Sequence, residues 1–247
     1  MKTILLKFAG PMQSWGSDSH FETRHTDLYP SKSAVIGLLG AALGIRRDDD
    51  SIRELDDVKF AVRIDQEGGL LKDYHIVRKR NPDGELNGGN YVTERYYLED
   101  AIFVAAISHE DNSLVERLYE ALRKPYFQTY LGRRSVPVLA DFILGIFDND
   151  IKTVLEECEW QAADYYKKRY RSQDKKALDV YADKFIFDKA DRESLRQDKV
   201  ISFSKQHRRF SFRYEVHTKI TVKNDMTTRS EERRVGKECR SRWSPYH

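Results

Sequence analysis

The chain has 247 residues, 40% hydrophobic and 34% charged, with a formal net charge of +3, which is enough apolar material for one large domain or two small ones. No run approaches the roughly eighteen consecutive apolar residues of a membrane span, and the N-terminus has no small-residue cleavage site. Two cysteines, Cys158 and Cys239, make neither a disulfide framework nor a four-ligand zinc site, so the expectation is a soluble, unexported protein of a reducing cytoplasm.

Lys2 to Ala9 is rich in Ile, Leu and Phe, the composition of a strand buried on both faces. Gly10-Pro11 ends it, and a polar, aromatic loop follows. Pro30-Ser31-Lys32-Ser33 then supplies helix-start chemistry for AVIGLLGAALG, an apolar helix capped by Gly44. Asp48-Asp49-Asp50 after it reads as a solvated acidic loop rather than a cation site. Val58 to Asp65 alternates, with Val58, Phe60, Val62 and Ile64 on one face and Lys59, Arg63 and Asp65 on the other, the period of a half-buried strand.

Leu70 to Arg78 and Tyr91 to Glu99 are strand-like arms around a polar turn full of Gly, Asn and Pro. A protruding β-hairpin is expected, and insertions of this length usually carry function or are disordered. Ala101 to Ser108 is another buried strand. Leu114, Val115, Leu118, Tyr119 and Leu122 recur at helical spacing until Pro125, and Phe142 to Phe147 is a last core strand. The order is βαββαβ, the split arrangement of a ferredoxin-like or RRM-like α+β domain over 1–149, with a thumb hairpin at about 70–99.

Past Asn149 the signal weakens. Ile151 to Cys158 reads as a short helix, Tyr165 to Arg171 is basic and aromatic, and Arg209 to Val222 alternates over a long strand or hairpin. A smaller β-rich region over 150–228, packed on the first domain, is the expectation. Residues Arg229 to His247 have no hydrophobic period and match the translation of a common sequencing adapter. This segment is read as a non-native tail rather than a basic nucleic-acid-binding arm. It holds six basic and three acidic groups, leaving 37 of each in the rest of the chain, so the body of the protein is neutral.

No P-loop, G-x-G-x-x-G, G-x-S-x-G or H-E-x-x-H motif is present, the seven histidines are scattered, and neither metal nor cofactor is expected. Four constellations remain. Tyr130-Leu131-Gly132-Arg133-Arg134-Ser135 combines a glycine for close backbone approach with two forked phosphate donors and a hydroxyl; its other reading is a solvent-exposed turn. Gln13 offers an amide and Trp15 an indole for stacking, or Trp15 plugs the core. Lys32 beside the helix start at Ser31 suits an anion, or is simply an exposed lysine. On the hairpin, Asp73-Tyr74-His75 and Thr93-Glu94-Arg95-Tyr96-Tyr97 suit splayed bases and phosphates, or ordinary cross-strand packing. AIFVAAIS has a single aromatic and so lacks the stacking pattern of an RRM reader; RNA contact belongs to loops and hairpin.

LLKFAGPMQSWG, YPSKSAVIGLLGAALGIRRDD, Asp73 to His75, Thr93 to Leu98 and PYFQTYLGRRSVP together resemble the Cas-five (CasD) family of the type I-E CRISPR Cascade surveillance complex, over roughly residues 3 to 147. The resemblance implies a RAMP fold with a hairpin thumb, holding the 5′ handle of the CRISPR RNA and capping the backbone filament. It implies three further partners: the neighbouring backbone subunit, the large subunit and, indirectly, target DNA. The residues it carries over as RNA contacts are Gln13, Trp15, Arg24, Ser31, Lys32, Ser33, His75, Arg95, Tyr130, Gly132, Arg133, Arg134 and Ser135. Type I-C relatives of this fold imply an alternative, metal-independent cleavage of precursor CRISPR RNA, with His75 and Tyr74, or His25 and Lys32, as acid and base.

Overall fold

The computed structural model describes residues 1–16, 22–187, 190–204 and 206–227; the segment read as an adapter tail lies outside the described residues. In chain order, β1 (Thr3–Ala9) is followed by the short strands β2 (Met12–Gln13) and β3 (Thr23–Arg24), helix α1 (Lys32–Leu43) and β4 (Lys59–Gln66). Then come the long pair β5 (Gly69–Arg80) and β6 (Leu86–Glu99), β7 (Ile102–Ser108), α2 (Asn112–Arg123) and β8 (Ile143–Phe147). Helices α3 (Ile151–Glu157) and α4 (Asp164–Lys168) lead into β9 (Lys175–Asp183), β10 (Arg192–Ser202) and β11 (Arg209–Lys223).

Seven strands form one antiparallel sheet in the order β10-β11-β9-β4-β7-β1-β8. Because side chains alternate along a strand, a sheet covered on both faces needs apolar residues at every position. The central strands β1 and β7 come close to it. Ile4, Leu6, Phe8, Phe103, Ala105 and Ile107 face α1 and α2, while Leu5, Val104 and Ala106 face α3 and the segment around Trp160.

Strand β4 departs from the half-buried pattern. Arg63 and Asp65, placed on a polar face by their sequence alternation, are 0% and 1% exposed. The Arg63 guanidinium pairs with Asp65 and donates to the carbonyls of Leu155, Cys158 and Glu159, the orphan acceptors at the C-terminal end of α3. Trp160 Nε1 donates to the Asp65 carbonyl oxygen at 2.7 Å. A buried ion pair therefore serves as the cap of a helix.

The late strands do not form a unit packed on the first domain. β9 pairs with β4 through Ala61↔Ala182, Val62↔Tyr181 and Arg63↔Val180, so β9, β11 and β10 extend the same sheet sideways. They are tied to α1 by charge. Asp198 Oδ2 accepts from the Lys32 backbone N–H at 2.9 Å, and Asp183 Oδ2 accepts from Lys32 Nζ at 2.9 Å. Arg213 donates to Asp198, Asp183 and Glu215. Burial works against the Arg213 charge, and these three carboxylates outweigh it, raising its pKa above the ordinary value. Among the described residues no helix is long and apolar enough to cross a membrane.

A second sheet stands apart from the first. β5 and β6 pair along their length, from Gly69↔Glu99 to Arg80↔Leu86, around a turn closed by the Gly84 N–H donating to Asn81 O at 2.9 Å. The turn is tighter than its composition implied, because Leu86 to Asn90 lies in strand. On the other side of β6, β2 pairs antiparallel near its end and β3 pairs parallel at Glu94 and Arg95. The loop that follows β1 is thereby stitched to the hairpin base.

Candidate nucleic-acid interface

The interface is built from the break at Gly10-Pro11. Leaving β1, the chain must satisfy buried carbonyls with no further ladder partners, and Gln13 does so. Its Nε2 donates to Phe8 O at 3.1 Å and to Ala101 O at 2.7 Å, and its Oε1 accepts from Trp15 Nε1 at 3.2 Å. Trp15 is 1% exposed and packs 5.2 Å from the Phe8 ring, centroid to centroid. The expectation that Gln13 and Trp15 contact RNA is therefore corrected: the amide is consumed by the backbone, and the indole plugs the core.

The helix start is likewise occupied. Ser31 Oγ accepts from the Ala34 N–H as the cap of α1, and Lys32 is held by Asp183 while Asp198 takes the adjacent N–H. Ser31 and Lys32 are structural in this arrangement, and the anion suited to the helix N-terminus is the protein's own carboxylate. Ser33 remains half-buried beside an open groove.

The loop at 130–135 meets the first loop at Ser14. The Ser14 N–H donates to Leu131 O at 3.2 Å. Gly132 has φ +83°, and a β-carbon there would fall 1.5 Å from Ser14 O; only glycine has both the conformation and the size. Gly132 thus sets the approach of Arg133. Arg133 Nε donates to Ser14 Oγ at 3.1 Å, Nη2 donates to Tyr96 O at 3.2 Å, and the guanidinium lies 4.3 Å from the Tyr97 ring centre.

Three guanidiniums meet here, since Arg24 pairs with Arg95 across β3 and β6, and both act electrostatically on Arg133. Burial first, and then repulsion from Arg95 and Arg24, lower the Arg133 pKa against the opposing influence of Tyr97. Arginine ion pairs among the described residues belong to Arg53, Arg63, Arg117, Arg123, Arg196 and Arg213. The Arg24, Arg95 and Arg133 cluster has none. Buried atoms lacking a partner among the described residues are Arg95 Nε, Arg133 Nη1 and Thr93 Oγ1. Such orphaned donors call for a bound group, and guanidinium charge that no described ion pair neutralises favours an anion.

The remaining expected contacts are distributed around this cluster. Gly132, Arg134 and Ser135 are exposed and Tyr130 is half-buried. His25 stacks on Tyr96 with ring centres 5.4 Å apart. His75 lies further out on the hairpin with Asp73 against its Nε2. Tyr74 is its sequence neighbour on a strand and so points to the opposite face, which separates that proposed acid–base pair; in the other pair, Lys32 is already engaged with Asp183. The sequence reading missed Arg46, Arg47 and Arg208, which border a groove beside Gly132. IRR directly after the Gly44 cap was the available signal.

The family profile for the CRISPR-associated protein (Cas_Cas5) matches residues 3–235. The chain is 38% identical over 156 residues to the CRISPR system Cascade subunit CasD of Escherichia coli (strain K12), covering 58% of this chain and 70% of that protein. Its fold is similar to a chain of a CRISPR RNA-guided surveillance complex, with TM-score 0.74 and 27% identity over 96% of this chain and 99% of the other. A crystal structure of a Cas protein is similar at TM-score 0.60 and 27% identity, covering 91% and 97%. The chain belongs to the Cas5 family of CRISPR-associated proteins.

Proposed function

We propose that this chain is a non-catalytic, RNA-binding Cascade subunit that holds the 5′ handle of the CRISPR RNA and caps the backbone filament. The observation that carries the reading is the Arg24, Arg95 and Arg133 cluster, which makes no ion pair among the described residues and holds two orphaned guanidinium N–H donors. A body of balanced charge suits a protein that grips one defined segment through a local positive site, since proteins that bind nucleic acid indiscriminately are usually basic overall. The strand order β4-β7-β1-β8, with α1 and α2 on one face, supports the ferredoxin-like, RAMP-type assignment.

The hairpin supports assembly with a neighbouring subunit. Tyr74, Ile76 and Val92 share one face of its outer part, beyond the Lys72–Glu94 ion pair, and are 57%, 55% and 39% exposed, an apolar surface of the kind that marks an interface. The E. coli relative is named a subunit of Cascade, and the partners proposed with this assembly are a backbone subunit, a large subunit and, through the complex, target DNA. Such a complex belongs in the cytoplasm.

A second reading, metal-independent cleavage of precursor RNA, draws on the His75–Asp73 contact, which would orient an imidazole as a base. Co-expression with the other Cascade subunits, followed by recovery of the complex and its RNA, tests the proposal. Intact complex with bound RNA is expected for the wild type, and loss of RNA for the Arg24→Ala/Arg95→Ala double variant. RNA cut by the wild type and spared by His75→Ala supports the second reading.

A further inference from the structure

We infer that the groove beside α1 is a second nucleotide subsite, in which the RNA strand continues from the arginine cluster. This inference rests on the RNA-binding reading above. The groove encloses about 770 Å³, which is room for one or two nucleotides. Its floor is α1 itself at Gly37, Gly40 and Ala41, and its walls carry Phe127 and Phe203.

The helix explains the floor. α1 buries Val35, Ile36, Leu38, Leu39 and Ala42; on its groove side Gly37 and Ala41 present little or no side chain, while Ile52 packs over Gly40. A β-carbon on Gly37 would meet the Phe203 ring at 3.5 Å, so the aromatic wall closes directly over the glycine. The ring thus packs on the glycine itself, and a base stacks instead on the open part of the wall, where Phe127 is 38% exposed, in the manner of single-stranded recognition.

Charge stands at the rim. Arg46, Arg47 and Arg208 all line the groove, all are exposed, and none belongs to the arginine ion pairs of the described residues. Asp48, Asp49 and Asp50 follow in the chain, but among the described residues no acidic side chain lines the groove. Ser14 and Gly132 are part of the same lining and also carry Arg133, so the cluster and the groove share one ridge. A strand whose phosphates cross that ridge passes from one set of guanidiniums to the other.

The test uses the full chain with its Cascade partners and labelled single-stranded handle RNAs: one of full length and two shortened from either end. Salt dependence is measured for the wild type, Arg46→Ala/Arg208→Ala and Arg95→Ala. On the full-length RNA the groove variant should bind about tenfold more weakly, with the slope of log K against log salt reduced by roughly 1.4, two phosphates at about 0.7 each. Shortening one particular end should erase this difference. Arg95→Ala should weaken binding to all three RNAs. If Arg95→Ala weakens binding while the groove variant matches the wild type on the full-length RNA, the groove inference is wrong and the RNA-binding reading stands. If the wild type binds none of the RNAs, or binds an acidic peptide in their place, both fail. The three arginines lie outside the core, so the variants keep the fold; unchanged thermal unfolding verifies this.

Discussion

Gly132 presses against Ser14 so closely that a β-carbon at residue 132 would sit 1.5 Å from the Ser14 carbonyl oxygen. The contact positions the arginine cluster, because the neighbouring Arg133 reaches Ser14 Oγ and Tyr96 O only when the two loops touch. Gly132→Ala is expected to cost about 1–3 kcal/mol from its positive φ alone, and more from the clash. Thermal unfolding should show the loss, and RNA affinity should fall with it.

Arg24 and Arg95 have a different signature. Neither holds the fold together through an ion pair among the described residues, so each alanine variant should leave thermal stability nearly unchanged. RNA affinity should drop by about 1–3 kcal/mol for each, the range for hydrogen bonds to charged groups. Fluorescence anisotropy with a handle RNA measures it. Equal affinity in both variants would remove this site from the account.

Trp15→Ala should behave as a core deletion, costing about 3–5 kcal/mol, with weaker RNA binding following from unfolding. Urea titration alongside binding at low denaturant separates the two. Weak binding in a variant of wild-type stability would return the indole to the RNA surface.

These contrasts show what the sequence carried. Hydrophobic period found β1, β4, β7 and β8, and Gly-Asn-Pro chemistry found the hairpin, because both are local properties. β9 and β10 were missed: in KKALDVYAD and RESLRQDKVIS the inward residues are diluted by charge, and Asp198, which is buried, looks like solvent-facing material until Arg213 and Lys32 arrive from distant segments. Gln13 and Trp15 were misread for the same reason. Their partners, Ala101 O and the Phe8 ring, are fixed by the tertiary fold, so an amide and an indole in a loop were indistinguishable from ligand contacts.

The buried network makes its own prediction. Asp198→Ala leaves the Arg213 guanidinium short of a carboxylate and the start of α1 without its acceptor, at a cost of about 3–5 kcal/mol, the price of breaking a buried pair. Urea unfolding measures it.

Tyr29 adds a pH dependence. Burial first, and then Glu215, which accepts its hydroxyl at 2.8 Å, push its pKa well above the ordinary value. The folded state keeps this proton longer than the unfolded chain, so its contribution is complete below the unfolded pKa of about 10 and is lost as pH rises beyond it. Tyr29→Phe should be less stable than wild type at pH 8, with the gap narrowing above pH 10.

The most direct test of the central claim is a single incubation, without metal, of the full chain with end-labelled repeat RNA, divided between native and denaturing gels. The account predicts a shifted band, intact RNA on the denaturing gel, and loss of the shift in Arg24→Ala/Arg95→Ala. A discrete cut, or a shift that survives the double substitution, would contradict it.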